Sequence, residues 1–322
     1  MSDISMNMAG IDTGKGELHV CLRPKGETFS VRNDQTGIAK LVARCVKAGV
    51  VRAGIEATSI YHRAAAKALR EAGIETIELQ PRQARGLAVA LLRRAKNDTI
   101  DASIIAKLVE VLDGPWKQPP PAHLEALAEA LTFIEMTDER LVVLKTQRER
   151  FSSKRFLGQF DKEIKALEKQ QRAELRRLVA KLRQDQALSG KLDLLLSIPT
   201  IAERTAAAML IRMPELGSMT REQVASLLGV APFDDQSAEH NGQRHIAGGR
   251  ARLRKTVFMA AFSGSQRWNE DLRGFYKRLR AKGKAHNAAV IACSRKLIIY
   301  ANAVLMRGTP WQDKRGMPCL AK

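Results

Sequence analysis

From His123 to Leu188 the chain carries one glycine, Gly158, and no proline. Apolar residues recur there at spacings of three and four: Leu124, Leu127, Leu131 and Ile134, then Ile164, Leu167, Leu175, Leu178 and Leu182, with polar Gln171 inside the second stripe. Such spacing puts each set on one face of a helix and excludes a half-buried strand. The segment predicts a helical hairpin or coiled coil. A spacer or dimerisation arm and a helical pair packed on its own chain both fit. Gly114-Pro115 and Pro119-Pro120-Pro121 read as a linker ahead of it. The expected organisation is therefore three segments: 1–115, 116–190 and 191–322.

The first segment alternates. Met6–Asp12 is a short apolar run, and Thr13-Gly14-Lys15-Gly16 is turn chemistry. Glu17–Arg23 and Thr28–Arg32 follow, separated by Pro24-Lys25-Gly26, which makes a three-stranded meander. Thr36–Ala48 has helical periodicity up to Gly49, Val50–Ile55 is a fourth strand reaching Glu56, Ile60–Ala72 a helix, and Ile74–Leu79 a fifth strand. Pro81 opens another helical stretch, and Asn97-Asp98-Thr99 reads as the cap of a helix to Leu112. In the third segment helices are expected over Glu203–Met213, Arg221–Leu228, Arg250–Ser265 and His286–Met306, with a loop over 229–249.

Charge narrows the partner. The 322 residues hold 54 Lys and Arg against 34 Asp and Glu, a formal +20, and residues 244–322 alone carry 18 basic and 3 acidic side chains. Such an excess fits a polyanion, with phosphates as the expected contacts. Cys21, Cys45, Cys293 and Cys319 have no metal-ligand spacing, so neither a disulfide framework nor a cysteine zinc site is expected. The longest uncharged apolar run, Leu297 to Met306, is about half a membrane span. The expectation is a cytoplasmic protein, nucleoid-associated when active, with no membrane partner.

Four acids stand out. Asp12 ends the first strand and Glu56 the fourth, while Asp98 and Asp101 share a helix face. If the two strands are neighbours, their carboxylates emerge at one sheet edge. Four converging carboxylates repel unless they hold hard cations, and two Mg²⁺ ions there would clamp a phosphodiester. Acids so placed on a β-β-β-α-β order are the arrangement of an RNase H-like (RuvC-like) nuclease domain.

The motifs around these acids resemble those of the DEDD-type insertion-sequence transposases, the RNA-guided bridge recombinases to which Piv-type DNA invertases are related. Gly10-Ile11-Asp12-Thr13, Ile55-Glu56-Ala57-Thr58 and Asn97-Asp98-Thr99-Ile100-Asp101-Ala102 carry it first. Ile198-Pro199-Thr200-Ile201-Ala202 then stands where the family has I-P-G-I-G, with Thr200 and Ala202 in place of glycines. Leu228-Gly229-Val230-Ala231-Pro232 with Gln236-Ser237-Ala238 follows, Ala238 replacing a glycine, and then the basic run from Gly249 to Ala261.

The resemblance implies an α/β RNase H-like N-terminal domain, a coiled-coil segment and a mainly α-helical transposase domain. It implies Mg²⁺ at Asp12, Glu56, Asp98 and Asp101, and DNA attack by Ser237 to give a covalent phosphoserine. Its implied partners are donor and target DNA duplexes, a noncoding guide RNA and further copies of the chain, as a dimer or tetramer. Arg244, Arg250, Arg252, Arg254 and Lys255 would face phosphate. His240 is a weaker choice as base beside Ser237. Two alternatives stay open: a junction-resolvase-type nuclease in which the four acids hydrolyse DNA and Ser237 is incidental, and a nucleic-acid-binding protein with a decayed site.

Overall fold

The computed structural model describes residues 6–92, 98–112, 122–233, 236–237, 240–241 and 245–312. The chain divides into two compact units, Met1–Pro119 and Pro120–Lys322.

In the first unit β1 (Met8–Thr13), β2 (Glu17–Arg23) and β3 (Glu27–Arg32) form the antiparallel meander that the turn residues predict. Helix α1 (Gln35–Lys47) begins at Asp34, whose carboxylate accepts from the Gly37 amide. It returns the chain to β4 (Arg52–Glu56), parallel to β1. Helix α2 (Arg63–Glu71) leads to β5 (Glu75–Leu79), parallel to β4. The sheet order is β3-β2-β1-β4-β5. Period-two alternation splits its two faces. Ala9, Ile11 and Ile55 are buried with Leu41, Cys45 and Leu69 of α1 and α2. The other face carries α4 (Asp98–Val111), reached through α3 (Pro81–Ala90). The Asn97 cap and the Gly114–Pro121 linker expected from the sequence lie outside the described residues.

The second unit is helical. Helices α5 (Ala122–Arg148) and α6 (Lys154–Gln184) pair as a hairpin on their own chain. Gln171, the polar member of the stripe, donates to Asp138 across the pair. At the far end Leu141, Ile164 and Leu167 make a small cluster, and Phe151 packs on Phe156 and Phe160 at 5.7 and 5.3 Å. The base differs: Leu124 to Ile134 and Leu178 to Leu182 share one core with the helices that follow. The segment set apart as 116–190 is thus continuous in its packing with what comes after.

Asp185 breaks the helix and caps α7 (Gln186–Leu196), so helix extends past Leu188. Then come α8 (Glu203–Arg212), α9 (Arg221–Leu228), two short strand pairs within 229–249, α10 (Ala251–Ser263), a π turn at Gly264–Trp268, α11 (Glu270–Ala281) and α12 (His286–Arg307). Helix α12 is long and apolar enough to cross a membrane by composition. One face, from Ala289 through Cys293 and Leu297 to Val304, is buried in the core of this unit.

Candidate catalytic centre

Strands β1 and β4 lie in register, Gly10 beside Gly54 and Ile11 beside Ile55. Asp12 and Glu56 come one step later, at the C-terminal ends of adjacent parallel strands. Each is two residues past its glycine and so lies on the glycine's face of the sheet. Both glycines are there because α4 rests on the backbone. A Cβ at Gly10 would sit 2.2 Å from the Ala102 carbonyl oxygen and the Ala106 nitrogen, and one at Gly54 would be 2.3 Å from Val109 Cγ2.

The direction of α4 is marked by Arg23. Paired with Met8 at the start of β1, it reaches Glu110, near the helix C-terminus, at 2.9 Å. The helix therefore runs back along the sheet and begins at the end where Asp12 and Glu56 emerge. Asp101 is half-buried there; Asp98 opens the helix, and its side chain lies outside the described part. Among the described residues, no three acid, histidine or cysteine side chains come together as a ready cation site. Asp12, Glu56 and Asp101 therefore do not converge as the sequence led one to expect.

Two residues that sequence reasoning missed hold this edge. The Asn33 side-chain amide donates to the carbonyls of Gly14 and Tyr61, at 2.9 and 3.1 Å, tying the turn after β1 to the loop after β4. Thr58 donates to Glu56 at 3.2 Å. Within that loop buried His62 stands beside Glu78, and His62 first, with Arg70, holds the Glu78 carboxyl down at about 2. The repeated spacing Gly10-Ile11-Asp12 and Gly54-Ile55-Glu56 was the readable signal for the paired glycines; nothing local marked Asn33.

In the second unit Ser237 lies on a two-residue strand, Gln236–Ser237, paired with His240–Asn241 so that Ser237 and His240 are opposite each other. Their side chains, Ala238 and Arg244 lie outside the described part. A second pair, Pro232–Phe233 with His245–Ile246, closes the loop below. Its base is stitched where Gly229 and Gly249 meet back to back: a Cβ at Gly249 would be 2.4 Å from the Gly229 nitrogen. Both have positive φ, +80° and +66°.

Residues 9–152 match the family model for DEDD-type transposases of IS110, described as Transposase, and residues 192–277 match one described as Transposase IS116/IS110/IS902 family. The chain thus matches models of the IS110 family of transposases over its N-terminal part and much of its C-terminal part. Enzymes of this family cut and rejoin DNA. An insertion element IS110 uncharacterized 43.6 kDa protein of Streptomyces coelicolor is 31% identical over 122 residues. That match spans 37% of this chain and 30% of the relative's length.

The basic residues of the second unit divide by what they touch. Arg250 donates to the Arg212 carbonyl and, through both terminal nitrogens, to Glu215 at 2.8 and 2.6 Å. Arg254 donates to the carbonyls of Leu228, Gly229 and Gly248. Both help hold the base of the Ser237 loop, Arg250 through its two terminal nitrogens and Arg254 through Nη1. Arg252 and Lys255 are 59% and 73% exposed and stand 3.6 and 3.8 Å from Glu135 and Glu139, spacings too loose to hold them from an incoming phosphate.

Proposed function

We propose that this IS110-family protein is the transposase of an insertion element, with an RNase H-like N-terminal domain and Ser237 as the nucleophile on DNA. The observation that carries the reading is the in-register placement of Asp12 and Glu56 on the face where α4 begins with Asp98 and Asp101. Four carboxylates are an oxygen donor set suited to a hard divalent cation such as Mg²⁺. When bound, the ion would offset negative charge developing on the phosphodiester.

Ser237 would act by transesterification. Its Oγ forms a bond to phosphorus as one ester P–O bond breaks, and the departing sugar hydroxyl takes up the proton the serine gives away. An incoming strand hydroxyl then reverses the exchange, so phosphodiester bonds are conserved without hydrolysis. Arg250 and Arg254 would keep the loop in shape, while Arg244, Arg252 and Lys255 meet phosphate. The proposed partners are donor and target duplexes, an element-encoded guide RNA and at least one further copy of the chain. Exposed Met136, Val142 and Val143 on α5 are consistent with the last of these.

The test is strand exchange with purified Ser237→Ala, Mg²⁺, RNA and DNA. Binding is expected to survive, because phosphate electrostatics dominate affinity. The covalent adduct and joined product are expected to vanish. Undiminished cleavage, with water as acceptor, would establish the hydrolytic nuclease instead. Asp12→Asn is expected to abolish the adduct while the protein still folds, and mass measurement on cognate nucleic acid reads the number of copies.

A further inference from the structure

At the end of the sheet opposite Asp12 and Glu56 a cavity of about 370 Å³ opens between β2, the turn after it and the end of α1. Buried Leu22 and Val50 line it, and four cations surround it: Arg23 and Lys25 from one side, Arg44 and Lys47 from the other. The two arginines are held in place. Arg23 is paired with Glu110 at 2.9 Å, and Arg44 is paired with Glu27 while its guanidinium lies 3.7 Å over the Phe29 ring. Lys25 and Lys47 are exposed and have no carboxylate partner among the described residues. The C-terminus of α1 accounts for cations in its last turn. It does not account for Lys25, which comes from a different element and faces the same cavity.

We infer that this cavity holds one nucleotide of a single-stranded nucleic acid, its base against Leu22 and Val50 and its phosphate between Lys25 and Lys47. Five of its nine lining residues are charged, the Glu27 carboxylate among four cations, with Leu22, Ala48 and Val50 as the apolar part, and the volume lies near the lower end of the range for small-ligand sites. One nucleotide fits and two stacked ones do not. Asn7 adds a polar group at the wall, its amide fixed by donation to the Ala48 carbonyl at 2.8 Å. The sheet separates the cavity from the strand ends that carry the acids, so it is a binding site apart from the proposed cutting chemistry. It stands or falls independently of the role of Ser237.

The experiment uses the full chain and two short photoreactive single strands, one RNA with thiouridine and one DNA with thiothymidine, and adenosine monophosphate as free competitor. Cross-links are expected within residues 22–27 and 44–50, and the stronger arm identifies the strand type. Lys25→Glu with Lys47→Glu, at two exposed positions, is expected to weaken that strand about tenfold and to flatten the salt dependence by about 0.7 units of log–log slope. The double change Lys282→Glu with Lys284→Glu, of equal charge, is expected to leave those cross-links in place. Cross-links mapping elsewhere, or equal losses from the two double variants, would overturn the inference. So would displacement by the monophosphate with no strand cross-link, which would make the site one for free nucleotides. Ser237→Ala is expected to keep the cross-links, so a failure of this site and a failure of the strand-exchange reading are separately visible.

Discussion

Thr200 joins α7 to α8 with φ at +89°, a backbone conformation that a β-branched residue adopts only under strain. Its hydroxyl is buried without a hydrogen-bond partner among the described residues. The turn is held from outside: Ile201 N donates to the Ile198 carbonyl, and the Asn269 amide donates to the Pro199 carbonyl at 3.2 Å. Thr200→Gly is therefore expected to stabilise the protein. Relief of the backbone contributes about 1–3 kcal/mol. Removing the orphaned hydroxyl contributes about 1–3 kcal/mol more. Against this, glycine costs about 0.5–1 kcal/mol in chain entropy. The lost methyl costs about 0.8 kcal/mol of burial. The net is a gain of about 2 kcal/mol, or roughly 4–8 °C in Tm for a unit of this size. Thermal melts of the two proteins measure it. Gly264 supplies an internal control, since a Cβ there would lie 2.5 Å from Thr200 Cγ2. Gly264→Ala is expected to destabilise the wild type by about 1–3 kcal/mol through overpacking and to be nearly neutral beside Thr200→Gly. A Thr200→Gly protein that melts at or below wild type would refute the strain assignment.

Four other substitutions address the site and its supports. Gly10→Ala drives a Cβ into the backbone of α4, which cannot swing aside as a side chain can; a loss of about 3 kcal/mol in chemical denaturation and of all strand exchange is expected. Arg250→Ala breaks a half-buried two-pronged pair with Glu215 and is expected to cost about 2 kcal/mol. Arg252→Ala, on an exposed side chain, is expected to leave the melt unchanged and weaken DNA binding, so the pair of variants separates clamp from contact. The Glu78 carboxyl is depressed to about 2 from an ordinary 4.5, chiefly by His62. The stability it lends is therefore full above about pH 4.5 and lost as pH falls toward 2. Acid titration of Glu78→Gln is expected to show a flatter limb in that window.

Much of the fold was legible because its signals are local. Turn residues bounded the meander, the 3/4 stripe marked the hairpin, and α9 lies where its Thr220 cap and Gly229 stop put it. Less legible was the stretch 229–249, whose strand pairs are two residues long and are held by the glycine contact below them rather than by their own pattern. The acids were readable as strand ends and a helix face, and the spacing of Gly10 from Asp12 repeats that of Gly54 from Glu56. Basicity alone marked Arg250 and Arg254 as phosphate contacts; it could not show that carbonyls of the loop base and Glu215 would engage part of each guanidinium.

The sequence by itself determined most of the elements, though neither the strand pairs within 229–249 nor α11, since hydrophobic period, caps and breakers act within a few residues of one another. That residue 202 need not be glycine comes from the structure, where Ala202 is extended at φ −90° and ψ 170°, a conformation open to any residue. Tertiary structure decided the rest. Parallel pairing of β1 with β4 set Asp12 level with Glu56, and packing of α4 on Gly10 and Gly54 set which end of that helix meets them. Packing of the hairpin base joined the middle of the chain to its C-terminal core, and the contact with Gly264 confines Thr200 where a glycine would sit freely. Register, helix direction and strain depend on partners far apart in the chain, and no local pattern encodes which partner a residue will meet.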